Sequence, residues 1–271
     1  MTMDRRLTPA TARVAHVSLR GRTDAPAWTE GEPLRVSMPL VDLLRAPGGA
    51  RERQLALGEG FTVVDREHGH AFGFAEKDGY CGWLPQAALA DTPRPTHWVA
   101  SVGTHLYPEP RSASKELGAL PTGARVEVVG QVDKWAETPA GYVPRSHLRV
   151  IGSWLADPVT VAEGFLGTPY LWGGNSRAGI DCSGLVQVAF AACGIAVAGD
   201  SDLQAAQGTE VSGALQRGDL LFWNGHVALV FDDQRLIHAN GFTMSVAYEG
   251  TGACIARIAA AEGPVTARRR M

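Results

Sequence analysis

The first half of this 271-residue chain repeats itself, and the repeat restricts it to small β modules. Leu55-Ala-Leu-Gly58-Glu-Gly-Phe61-Thr-Val63-Val64 is similar to Leu120-Pro-Thr-Gly123-Ala-Arg-Val126-Glu-Val128-Val129. Each reads as a glycine turn feeding a strand with alternating apolar side chains. A second pair follows: Gly79-Tyr80-Cys81-Gly82-Trp83-Leu84-Pro85 with Leu89, and Gly141-Tyr142-Val143-Pro144 with Leu148. The spacings differ slightly, so insertions separate the copies. Short strands joined by Gly/Pro turns and repeated in this way predict two small barrels. The segment Asp91-Thr-Pro93-Arg-Pro95-Thr carries two prolines, which stop regular structure and stiffen a linker. The expected spans are a polar lead-in over 1–30, a first barrel over 31–92 and a second over 93–150.

From Ile151 the pattern changes. Asp157 to Leu166 reads as a short helix ending at Gly167, and Tyr170-Leu-Trp172-Gly173-Gly174-Asn175 as a glycine turn. Leu185, Val188, Ala189, Ala192 and Cys193 recur at helical spacing, which predicts a helix from Cys182 to Cys193 with Gly194 as its C-terminal cap. Three strand candidates follow, Leu220–Trp223, His226–Phe231 and Leu236–Ala239. A helix followed by an antiparallel sheet is an α+β pattern, assigned to 151–271. The basic end Arg268-Arg269-Arg270 reads as a solvated tail.

Hydrophobic residues make up 45% of the chain, enough for sizeable cores, and the formal net charge is −3. That balance gives no reason to expect nucleic acid or an anionic membrane as a partner. No stretch approaches the roughly 20 apolar residues of a membrane span, and no apolar run resembling a secretory signal stands near the start. The expectation is a soluble, cytoplasmic protein, with its oligomeric state left open.

The four cysteines, Cys81, Cys182, Cys193 and Cys254, include no Cys-x-x-Cys pair and are expected as free thiols. Three of them read as small buried hydrophobes. Cys182 stands apart. Asp181 before it is a good N-cap, which places Cys182 in the first helical turn. There the unpaired N–H groups and the helix dipole favour a thiolate, the nucleophilic form, and can stabilise an oxyanion. A half-buried structural cysteine is the alternative on this segment alone. His226 and His238 shift the balance. If the loop between their strands has three residues, 231 pairs with 235 and His238 faces Ala228, diagonal to His226 on the same face. A two-residue loop would put the rings on opposite faces. In the first register one histidine can take the thiol proton and the second can orient the first. A zinc site from Cys182, His226 and His238 competes for the same atoms, but ligand pairs at short fixed spacing are missing. No metal or organic cofactor is indicated.

These residues resemble the NlpC/p60 family of bacterial cell-wall peptidases from about Thr160 to Ala239. The motifs are Gly167-Thr-Pro-Tyr-Leu-Trp-Gly-Gly174, Ile180-Asp-Cys-Ser-Gly184, Gly218-Asp-Leu-Leu-Phe-Trp223, His226-Val-Ala and Ile237-His-Ala, in that order. The resemblance implies a papain-like α+β catalytic domain, with Cys182 as nucleophile, His226 as base, His238 as the third polar residue and Tyr170 near the oxyanion. The whole chain resembles the subgroup with two SH3-like barrels before that domain, γ-D-glutamyl-L-diamino acid endopeptidases that act on peptides with a free N-terminal L-Ala. By that resemblance Asp181, Glu59 and Tyr80 hold the free ammonium, and Ser183, Trp172 and Asp200 line the neighbouring pocket. The bland readings are core packing for Tyr80 and Trp172 and a solvated turn for Glu59. One departure is Ala198-Gly199-Asp200-Ser201, which lacks the Arg often found in that loop.

The expected function is hydrolysis of short murein peptides in peptidoglycan recycling. A thiol amidase or acyltransferase on the same fold is one alternative. A wall-peptide-binding protein with a dead catalytic half is another, and the intact Cys182, His226 and His238 argue against it.

Overall fold

The computed structural model describes residues 3–271. The chain divides after Ile151 into two units.

The first unit is almost entirely β. Seven antiparallel strands run in the order Arg51–Ala56, Leu40–Leu44, Cys81–Pro85, His70–Ala75, Gly60–Glu67, Glu32–Val36 and Leu89–Ala90. The sheet curls around a core that includes Val36, Leu43, Leu55, Phe61, Val63, Tyr80 and Leu84. The lead-in is pinned to it, since Thr11 and Arg13 both donate to the Asp65 carboxylate. A second set of short strands surrounds Val99, Leu120, Ala124, Val126, Val143 and Leu148. The repeat read from the sequence reappears as a shared design. Gly58 and Gly123 both turn with positive φ, 75° and 85°. Cys81–Pro85 and Gly141–Pro144 both run through a single 3-10 turn into a final short strand. The two sets are joined closely: the Arg125 N–H donates to the Leu57 carbonyl at 2.7 Å. A Cβ at Gly58 would lie 2.3 Å from the Arg125 carbonyl oxygen, so only glycine fits there.

The second unit is α+β. Helix α1 (Pro158–Glu163) is capped by Asp157 and packs against α2 (Cys182–Ala192), which ends at Gly194 in the left-handed conformation. Helix α3 (Ser201–Ala205) follows. Six antiparallel strands then form one sheet, ordered Thr209–Glu210, Ala267–Arg270, Leu220–Trp223, His226–Val230, Arg235–Asn240 and Ser245–Gly250. Helix α2 packs against the two histidine-bearing strands. Helix α4 (Thr251–Ala261) buries Cys254 and Ile258 with Leu221, Trp223, Ala228, Val230 and Leu236. Among the described residues, no helix is long and apolar enough to cross a membrane.

The C-terminal arginines correct the sequence reading. Residues Ala267–Arg270 form an interior strand of the sheet rather than a solvated tail. Arg270 donates from Nε and Nη2 to Asp219, at 2.7 and 2.9 Å, and Arg269 donates to the Ala205 carbonyl. A run of like charge misleads because alternate arginines of a strand point to opposite faces, and two of these three find acceptors in the fold. The Asp219 carboxylate is fully buried and also accepts the Gln216 N–H. Asp219→Ala leaves these donors without an acceptor. We expect a loss of about 1–3 kcal/mol, read as a lower midpoint in thermal or urea unfolding.

Candidate active site

The site is assembled at the start of α2. Asp181 has extended backbone (φ −98°, ψ 178°), and its Oδ1 accepts the Gly184 N–H at 2.6 Å. That is the N-cap bond, and it puts Cys182 at the first helical position. The other oxygen, Oδ2, accepts the Gly173 N–H at 2.8 Å, and the Asp181 N–H donates to the Gly174 carbonyl at 3.2 Å. The Ser183 hydroxyl also donates to Oδ1. One buried carboxylate therefore ties the helix start to the Gly173-Gly174 turn. The approach is close enough that a Cβ at Gly184 would lie 2.4 Å from the Gly174 carbonyl oxygen. Cys182 is 6% exposed, in the turn where the helix dipole favours negative charge.

The histidines lie on adjacent strands in the register that a three-residue loop predicts. Leu229 pairs with Ile237 and Val230 with Leu236, and the Phe231 N–H donates to the Arg235 carbonyl. His226 and His238 thus share a face, with His226 Nε2 2.9 Å from His238 Nδ1. On the next strand His238 pairs with Ala247, which puts Glu249 on the same face one diagonal away. His238 Nε2 is 3.1 Å from Glu249 Oε2. Arg257, on α4, grips both oxygens of Glu249, from Nε at 2.8 Å and from Nη2 at 2.7 Å. Four side chains therefore form one line of hydrogen bonds. The zinc reading fares poorly against it, because two rings that bond each other through Nε2 and Nδ1 do not both turn those atoms to a common cation.

Burial dominates the titration of this line. It pushes His226 down to about 3, helped by His238 and Arg257 and opposed by Glu249. It pushes His238 down to about 4, with Glu249 pulling upward and Arg257 downward. Both rings are therefore neutral near pH 7. Hydrogen bonds from Arg257 hold Glu249 below the usual carboxylate range despite its partial burial. Tyr170 is raised above an ordinary phenol, first by burial and then by negative charge at Cys182 and Asp181. Its hydroxyl stays protonated and can donate.

The other residues singled out from sequence fall in distinct places. Trp172 is 69% exposed, so core packing does not explain it. Ser183 is buried against Asp181. Asp200 occupies the N-cap position of α3. Its loop is held by Gln204, whose Nε2 donates to the carbonyls of Ala198 and Ser183, and by Gln207, which accepts the Ala198 N–H. Tyr80 belongs to the core of the first unit. Glu59, also in that unit, is 9% exposed rather than solvated, and its carboxylate accepts the Ala56 N–H and the Lys77 ammonium. Sequence reasoning missed Glu249 and Arg257. Val246 and Tyr248 alternate with Ser245, Ala247 and Glu249 in a strand pattern, but placing Glu249 beside His238 needs the pairing of His238 with Ala247.

A cysteine at a helix start and an ordered imidazole pair on an antiparallel sheet define the class: a hydrolase of the cysteine peptidase type. Residues 167–255 match the NlpC/P60 family, and residues 43–89 match the bacterial dipeptidyl-peptidase SH3 domain. A gamma-D-glutamyl-L-lysine dipeptidyl-peptidase of Bacillus cereus is 30% identical over 223 residues, covering 69% of this chain and 67% of that protein. Dipeptidyl-peptidase 6 of Lysinibacillus sphaericus is 38% identical over 86 residues, 30% of this chain and 31% of that protein. The crystal structure of an NlpC/P60 family protein from Bacillus cereus shares the fold with TM-score 0.75 at 21% identity, over 88% of this chain and 99% of that one. The chain belongs to the NlpC/P60 family, and its N-terminal part carries an SH3-type domain.

Two outcomes are expected. Gly184→Ala should cost about 1–3 kcal/mol by overpacking against the glycine turn, seen as a lowered melting temperature together with reduced activity. Histidines held neutral in the fold take up protons on unfolding below about 6.5. The unfolded state then binds more protons, so stability should fall as pH drops from about 6.5 toward 4. Between pH 6.5 and 5, His226→Gln should show a shallower fall in melting temperature than the parent protein.

Proposed function

We propose that this protein is a peptidoglycan peptidase that cleaves the bond between γ-D-Glu and an L-diamino acid in short murein peptides with a free N-terminal L-Ala. The observation that carries the reading is Cys182 at the start of a helix packed against the strand of His226, whose ring is bonded to His238. The names of the two relatives support the substrate class. In this reading the Cys182 thiol gives its proton to His226, and the sulfur attacks the γ-carbonyl carbon of D-Glu. First-turn N–H groups of α2 and the protonated Tyr170 hydroxyl stabilise the oxyanion. The C–N bond then breaks, His226 passes its proton to the leaving amine of the diamino acid, and water releases the acyl group from sulfur.

A bound ammonium requires carboxylate partners, because an unpaired buried charge is costly. Asp181 is the candidate of this unit, beside Ser183, with Trp172 and Asp200 as walls of the neighbouring pocket. The requirement for a free amine restricts the enzyme to peptides already released from the glycan, hence a role in recycling.

The test is incubation with L-Ala-γ-D-Glu-diamino acid tri- and tetrapeptides, followed by chromatography of the products. We expect L-Ala-D-Glu to be released, with loss of turnover by at least about a thousandfold in Cys182→Ala and on N-acetylation of the substrate. Equal turnover of the acetylated peptide would point instead to a broader thiol amidase, and undiminished hydrolysis by Cys182→Ala would end the nucleophile assignment.

A further inference from the structure

We propose that Glu249, clamped by Arg257, is a positioning residue that fixes which nitrogen of His238, and through it of His226, carries the proton, so that Nδ1 of His226 is the basic atom. The proposal rests on His226 being the base of the reading above, and concerns which of its atoms acts and what enforces it.

Arg257 has only N–H groups to offer, and it gives two of them to Glu249. A carboxylate gripped in this way stays ionised and can only accept. The His238 atom facing it, Nε2, must therefore be N–H. A neutral imidazole has one N–H, so His238 Nδ1 is a bare lone pair. The His226 atom facing that lone pair, Nε2, must then be the donor. Neutral His226 accordingly keeps its one basic lone pair on Nδ1, the ring nitrogen outside the line. When Nδ1 gains a proton, the Nε2–H bond to His238 is retained, so the ring need not turn between the two halves of the reaction.

The surroundings support the same assignment. The His238 side chain has no solvent exposure and that of Glu249 only 18%, so water does not compete for these bonds. Cys254, which α4 places beside Glu249, has its thiol pushed up to about 12 by burial and by the Glu249 charge. It is a neutral donor that adds to the grip on the carboxylate. His238, Glu249 and Cys254 bring ligand atoms within 4.8 Å of one another. A cation is nevertheless disfavoured there, because the Arg257 guanidinium already occupies both carboxylate oxygens and the thiol resists ionisation. The Phe242 ring lies 4.6 Å from the guanidinium carbon and covers it. The Trp223 ring also packs on His226, with ring centroids 5.7 Å apart.

The decisive measurement is the tautomer of each ring, read from long-range proton–nitrogen NMR correlations on the full chain carrying Cys182→Ala, at pH 7. Both His226 and His238 should carry their proton on Nε2. Adding Glu249→Gln removes the charge and replaces one of the two acceptor oxygens with an amide NH2; with that NH2 facing Nε2, the His238 proton should move to Nδ1, reversing His226 with it. In protein with Cys182 intact, Glu249→Gln should lower kcat by about 100-fold with KM within about threefold, whereas Glu249→Asp should recover most of the loss. A proton on Nδ1 of His226 in the Cys182→Ala protein overturns the proposal by itself, even if Glu249→Gln does not fold. So does a folded Glu249→Gln protein with unchanged tautomers and kcat. Nε2 tautomers in a protein that fails to turn over the murein peptides would support the positioning role and count against the substrate reading alone.

Discussion

The catalytic unit depends on the carboxylate of Asp181. The start of α2 must approach a turn of two glycines closely enough to bury Cys182, and backbone dipoles at such a contact have to be satisfied from inside. Asp181 does this with both oxygens and its own N–H, bonding Gly184 in the helix and Gly173 and Gly174 in the turn. The sequence surrounds it with residues that permit the approach. Gly174 and Gly184 have no room for a side chain, and Ser183 is small enough to add its hydroxyl to the same oxygen. The position of Cys182 in the chain is thus set by a compact network of hydrogen bonds joining the helix start to the glycine turn. If Asp181 also meets a substrate ammonium, it does so as a residue the fold already requires, and a variant there would disturb structure and binding together.

Much of this could be read from the residues. The cap, the helix and its stop at Gly194 follow from local chemistry that acts within a turn or two. The hairpin register follows from the length of one loop, and the shared face of His226 and His238 follows from the register. The β repeat was legible because a glycine with positive φ leaves the same mark each time it is needed. What was not legible depends on distant partners. Arg268, Arg269 and Arg270 look like a tail until Ala267–Arg270 is seen between two strands, with Asp219 and the Ala205 carbonyl as acceptors. Glu59 looks like a turn residue until Lys77 is brought to it. Glu249 and Arg257 were missed for a similar reason: the strand that carries one and the helix that carries the other have ordinary sequences, and only their packing beside His238 gives the pair a role.

The first unit shows the same division between local and distant causes. Its turns come from glycines and its strands from alternation. The join between its two strand sets comes from a contact of Gly58 with Arg125 that neither segment announces. Ala56, at the end of a strand in the first set, is counted in the core of the second. The repeat therefore describes how each set is made, while the contact between them joins them within one compact unit.

In the proposed mechanism two imidazoles stand between Glu249 and the thiol, which keeps the negative charge away from His226. A carboxylate bonded directly to His226 would favour its protonated form and raise its pKa. Coulomb attraction weakens with distance, and a guanidinium on the carboxylate weakens it further. Hydrogen-bond direction behaves differently. It is passed from one ring to the next without loss, because each neutral imidazole that accepts on one side must donate on the other. Burial keeps His238 neutral, which is the condition for this transfer. The line from Arg257 to His226 thus separates two effects that a single carboxylate would combine. On the proposal above, it sets the tautomer of His226 while burial leaves that ring uncharged.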